Sequence, residues 1–122
     1  MSDKFEGFGG PDQNWVKIPH SLFNNLHLFS SKAEILIVLY ILRHTWGYQE
    51  FDIPIKLTMD EIICGRKRKD GSRIDNGIGM SEPSARDGIS RAIEHGFIDV
   101  YVDDSDASRI QKFYGLRMQG EE

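Results

Sequence analysis

A single cysteine, Cys64, stands in the 122 residues. One thiol excludes an intrachain disulfide and points to a reducing, cytoplasmic setting. As the last residue of a short apolar stretch, Cys64 reads as a small buried side chain rather than a reactive one. Long hydrophobic runs are also missing. The longest, within Ile35 to Leu42, falls far short of the ~20 residues a membrane helix needs. The polar, Gly-rich beginning has no secretory leader character, so the expectation is a cytoplasmic protein without a membrane partner. No metal-ligand spacing links His20, His27, His44, His95 and Cys64. Gly77-Ile78-Gly79 lacks the lysine and hydroxyl residue of a phosphate loop. Asp103 to Ser108 lacks the later glutamate of a calcium loop. Nothing here calls for a cofactor or for an enzyme. The net charge of −4 argues neither for nor against nucleic acid, because distribution matters more than the sum.

What is present is a helix with both ends marked. Ser81 is a preferred N-cap, Pro83 fits the first turn and Gly96 supplies the left-handed stop. Between them Ala85, Ile89, Ala92 and Ile93 fall on one face. The other side offers Glu82, Ser84, Arg86, Asp87, Ser90 and Arg91. Ahead of it, Leu57 to Ile63 is a short helix opened by a Thr58/Glu61 capping box. With Gly88 as the small residue at their crossing, the two helices suggest a helix-turn-helix. Phe97 to Val102 and Arg109 to Arg117, joined by a polar Asp/Ser turn, then add a hairpin. That combination is a winged helix.

Upstream, Asn14 to Ile18 reads as extended and Pro19 opens a helix to about Leu26, with Phe23, Leu26 and Leu28 facing inward. A second capping box, Ser31 with Glu34, precedes the almost wholly apolar helix Ile35 to Thr45, expected to be the buried spine. Gly47 is expected to take the left-handed turn that ends it. Phe51 to Leu57 reads as an edge strand, since Pro54 has no N–H to donate. Paired with the hairpin, it makes a three-stranded sheet. The fold class expected is therefore mainly α with a small antiparallel β-sheet (α+β). Residues 1–13 form a flexible N-terminal tail, 14–117 the winged-helix domain and 118–122 a C-terminal tail.

Between Cys64 and Met80 the turn of the helix-turn-helix is swollen by a basic, Gly-rich insertion. Asp70-Gly71 and Asn76-Gly77 are tight-turn pairs, so the insert has the makings of its own hairpin.

The run Arg43-His44-Thr45-Trp46-Gly47-Tyr48, then Asp52, a strand, a short helix and a Ser-capped helix ending Gly96-Phe97-Ile98, resembles the winged-helix domain of phage replication initiators. The family is that of replication protein O and related replisome organisers, and the resemblance spans about Asn14 to Arg117. It implies origin DNA as the partner and replication initiation as the role. A helicase or loader contact belongs to a further domain in that family and is not expected of these residues. The long basic insert departs from the family's compact turn. Winged helices of this kind often pair through their N-terminal helices, so a homodimer is compatible with the resemblance.

On this reading the second helix enters the major groove of double-stranded DNA. Ser84, Arg86, Ser90 and Arg91 are the candidates for base edges, because arginine grips guanine bidentately and serine is permissive. Arg66, Lys67, Arg68, Lys69 and Arg73 are the candidates for phosphates. Residues 103–108 form an acidic wing tip, better suited to solvent or a replication protein partner. The alternatives are a transcriptional regulator of the same fold, and a protein-interaction module that binds no DNA.

Overall fold

The computed structural model describes residues 5–9 and 15–119. Most of the expected N-terminal tail, Asn14, and residues 120–122 lie outside the described residues. Among the described residues, four α-helices and one three-stranded antiparallel sheet give a mixed α+β fold. They are α1 (His20–Asn24), α2 (Lys32–Thr45), α3 (Met59–Cys64), α4 (Glu82–Glu94), β1 (Ile55–Lys56), β2 (Ile98–Asp103) and β3 (Gln111–Leu116). Among the described residues no helix is long and apolar enough to cross a membrane.

The spine is α2. Ser31 caps it, its hydroxyl accepting from Glu34 N–H at 3.1 Å. The reciprocal half of the expected capping box is missing. Glu34 reaches one residue further back, where Oε1 accepts from the N–H of Ser30 at 2.8 Å and from its hydroxyl at 3.1 Å. Its other oxygen lies 2.6 Å from His95 Nδ1. Glu34 is fully buried, and a buried carboxylate is tolerable only when its lone pairs are met in this way. One side chain thus caps α2 and ties it to the end of α4.

Helix α4 begins and ends as its sequence implies. Ser81 Oγ accepts from Ser84 N–H. At the far end Gly96 has φ +83°, Gly96 N–H donates to Ile93 O, and Phe97 N–H donates to Ala92 O. Those two bonds form a Schellman stop. Ala85, Gly88 and Ala92 are buried. Ile93 is 39% exposed rather than core-facing, since it lies about 100° round the helix from Ala92. The partner of Gly88 also differs from expectation. A Cβ there would stand 2.8 Å from the carbonyl carbon of Ala33, so Gly88 is where α4 crosses the start of α2, not α3. Small residues along this face let the two backbones come close.

Three short segments also differ from what the sequence suggests. α1 spans five residues and gives way to a 3₁₀ turn at Leu26–Leu28. Leu22 is the buried residue, and Phe23, Leu26 and Leu28 are exposed, against the expected inward facing. After α2 another 3₁₀ turn holds Gly47, and Gln49 (φ +61°) takes the left-handed position. The strand expected from Phe51 shrinks to Ile55–Lys56, with Pro54 just outside it. Strand order is β1-β3-β2, with Ile55 opposite Tyr114 and Tyr114 opposite Val100. That row faces the core, where Ile37, Ile41, Leu57, Ile62, Ala92 and Ile98 meet.

Candidate nucleic-acid interface

The basic insert is a folded hairpin. Lys67 and Arg73 form an antiparallel bridge, Arg68 N–H donates to Ser72 O at 2.8 Å, and Gly71 N–H donates to Arg68 O at 2.9 Å. Asp70 completes the tip by accepting from Ser72 N–H and from its hydroxyl. The neck is closed by backbone pressed on backbone. Ile78 N–H donates to Ile62 O, and Gly79 N–H to Ile63 O. Gly65 (φ +106°) and Gly77 (φ +71°) sit where any Cβ would strike Asp75 O at 2.1 Å or Ile63 O at 2.4 Å. Only glycine fits both the dihedral and the space.

A buried network latches this hairpin to α2. Asp75 Oδ2 lies 2.8 Å from His44 Nε2 and accepts from the Tyr40 hydroxyl at 3.3 Å, while Oδ1 accepts from Gly77 N–H at 2.7 Å. Arg66 Nη1 stands 3.5 Å from His44 Nδ1. Arginine has no acceptor, so Nδ1 is the bare nitrogen and Nε2–H donates to Asp75. Burial pushes the His44 imidazole below its ordinary value; Asp75 opposes that shift and Arg66 adds to it. Burial alone would raise the Asp75 carboxyl, but Gly77 N–H, Tyr40 and His44 together hold it below the usual range. The Tyr40 phenol is pushed up by burial and by Asp75. Arg43 adds a bond to Ile74 O at 3.1 Å.

The latch places the insert. Ala33, Tyr40 and His44 recur at helical spacing on one stripe of α2. The N-terminal part of that stripe carries α4 and the C-terminal part carries the insert. Two elements therefore pack on one face of α2, α4 at its start and the insert near its end.

Not all the expected phosphate candidates are on offer. Arg66 is half-buried, 3.6 Å from Glu61 and turned toward His44. Arg68 folds back on Arg73 O at 3.0 Å, and Arg73 donates to Cys64 O at 2.6 Å. Lys67 and Lys69 are exposed, with no side-chain hydrogen bond or ion pair among the described residues. Cys64 itself is exposed, against expectation. It lies two residues, about 200°, round α3 from buried Ile62.

The base-edge candidates on α4 split into two flanks. Arg86 pairs with Glu82 at 2.6 Å and turns toward the sheet; Arg91 pairs with Asp87 at 2.6 Å and donates to Ser30 Oγ at 2.9 Å, at the start of α2. Ser84 is half-buried in the cap with Ser81. Ser90 is exposed at the centre of the outward face, between Asp87 and Glu94.

At the wing tip, Ser105 and Ser108 donate to Asp103 and Asp106, and those hydrogen bonds hold both carboxyls below their ordinary value. The tip is therefore firmly anionic. Its root is the opposite. Between α4 and the start of β3 runs a groove of about 420 Å³ walled by Lys56, Arg86, Arg109 and Lys112 over a floor of Leu57 and Met59. Sequence reasoning missed Lys56, Arg109 and Lys112, because Lys56 is far along the chain from the other two. The available signal was strand pairing, which sets the end of β1 beside the start of β3, where Leu57 N–H donates to Lys112 O.

No group of three or more histidine, cysteine, aspartate or glutamate residues among the described residues is placed to hold a metal ion. Compared with known proteins, the chain matches no family model, no curated protein and no solved structure.

Proposed function

We infer that this chain is a cytoplasmic winged-helix DNA-binding protein that engages duplex DNA with α4 and the basic insert. The observation that carries this reading is the ordered insert, latched to the C-terminal part of the α2 face that α4 crosses at its start. A solvated charge run would have no need of a buried latch, whereas a hairpin held at its neck presents Lys67 and Lys69 in a fixed place. Ordering before binding lowers the entropy cost of the contact. Origin recognition in replication is the proposed role. It rests on the resemblance of Arg43 to Tyr48 and the Ser-capped helix to phage replication initiators. Transcriptional control would use the same surface. Base reading falls to Arg86, Ser90 and Arg91, each arginine releasing its helix carboxylate to reach a guanine.

A protein-interaction module is the second reading, favoured by the ionised tip and by Asp87 and Glu94 on the outward face of α4. Titrating the protein into labelled random duplex at low salt separates the two. A DNA-binding protein gives micromolar or tighter binding that weakens for all sequences alike on Lys67→Ala/Lys69→Ala. Absence of duplex binding at low salt would overturn the DNA reading.

A further inference from the structure

The anionic wing tip and the cationic wing root pose a question that the proposed DNA surface leaves open. Arg109 N–H donates to Asp106 O at 2.9 Å, so the change of sign occurs within a few residues. Beyond Arg109 the chain carries Asp103, Asp104 and Asp106, all exposed. Inward of it, Lys56, Arg109 and Lys112 are exposed and have no side-chain hydrogen bond or ion pair among the described residues. Arg86 forms the facing wall, with Glu82 as its single carboxylate partner. The four cations come from β1, from the turn before β3, from β3 itself and from α4. No carboxylate lines the groove between them.

We propose that this groove at the root of the wing is a phosphate-binding site. A DNA strand passes between α4 and β3, and the wing tip is held off the duplex by its own carboxylates. This rests on the DNA reading and deepens it. It assigns the backbone contact to Lys56, Arg109 and Lys112, with Arg86 shared between a phosphate and its base. Coulombic attraction and repulsion act over a Debye length of about 8–10 Å at ordinary salt. A phosphate near Arg109 is therefore within reach of both the attracting root and the repelling tip, and settles inward. Gripped here and at Lys67 and Lys69, the duplex is held on both sides of α4. The apolar floor of Leu57 and Met59 suits the deoxyribose that accompanies each phosphate.

The test compares salt dependence across three proteins on one random-sequence duplex: the native chain, Lys56→Ala/Arg109→Ala/Lys112→Ala, and Lys67→Ala/Lys69→Ala. Each lost phosphate contact removes about 0.9 from the slope of log K against log salt. The groove variant is expected to lose roughly 2.7 and the insert variant roughly 1.8, independently. A fourth protein, Asp103→Asn/Asp104→Asn/Asp106→Asn, is expected to bind several-fold tighter at low salt, with the gain vanishing at high salt. All substituted side chains are exposed, and a far-ultraviolet circular dichroism melt checks that each variant folds. A native slope retained by the groove variant, with the insert variant still weakened, overturns the groove assignment and leaves the DNA reading standing. Failure of the native chain to bind duplex overturns both. Tighter binding of the tip variant that persists at high salt would overturn the steering role of the tip.

Discussion

The two basic regions of this molecule are opposites in how charge is laid out. The insert packs Arg66, Lys67, Arg68, Lys69 and Arg73 into eight residues, yet three of the five are turned onto the hairpin's own backbone, onto Glu61 or onto His44. The wing root draws its cations from positions as distant as Lys56 and Lys112, and leaves Lys56, Arg109 and Lys112 exposed. Charge density along the chain therefore says little about charge offered to a partner. An arginine with five donors is as useful for closing a loop as for gripping a phosphate. The lysines, which carry a compact charge on a flexible stem, are the insert's cations without a side-chain partner among the described residues.

This contrast is sharpened most by breaking the latch. Asp75→Ala leaves the His44 ring and Gly77 N–H without their buried acceptor. Such a loss costs about 3 kcal/mol, read as a lower urea midpoint at unchanged slope. If the insert were a loose run, the midpoint would barely move.

Acid should act on the same network. The folded His44 has its pKa lowered, so the unfolded chain takes up the proton first and stability falls as pH drops below the ordinary value of 6.5. Asp75, also lowered, adds a second loss as pH falls below 3.8. Urea midpoints at pH 7, 6 and 5 should decline, and His44→Gln should flatten that decline. A midpoint flat between pH 7 and 5 in the native chain would contradict the buried, neutral imidazole.

Smaller effects separate arginine from lysine within the insert. Arg73→Ala removes the bond to Cys64 O and should cost about 1 kcal/mol. Lys67→Ala/Lys69→Ala should stay within about 0.5 kcal/mol of the native chain, because neither side chain is used by the fold. The groove variant Lys56→Ala/Arg109→Ala/Lys112→Ala should be equally silent in stability, within about 0.5 kcal/mol. Destabilisation by the lysine or groove substitutions beyond that would mean the two regions are not the opposites described.

How much of this was legible beforehand depended on whether the signal was local. Ser81, Pro83 and Gly96 mark the ends of α4 through bonds made within a few residues, and those ends are found where the sequence puts them. The Thr58/Glu61 box is likewise complete, with both bonds formed. The Asp70-Gly71 pair closes a tight turn, giving the hairpin that its chemistry suggests. Long-range choices were hidden. Glu34 has the spacing of a capping box, but a histidine 61 positions away makes a different use of its second oxygen. Gly88 announces a close approach without saying to which helix. Asp75 looks like one more polar loop residue until Tyr40 and His44 are seen to converge on it. The facing of Leu26 and Leu28 was hidden because a 3₁₀ turn follows α1 and changes the phase of side chains there.

The most direct measurement of the account is an amide chemical-shift titration of the labelled protein with a short duplex. Shifts are expected at Lys56, Lys67 to Lys69, along the exposed face from Ser84 to Arg91, and at Arg109 to Lys112. Asp103 to Asp106 and α1 should stay unmoved. Shifts confined to the wing tip or to α1, or none at duplex saturation of the site by mass, would contradict it.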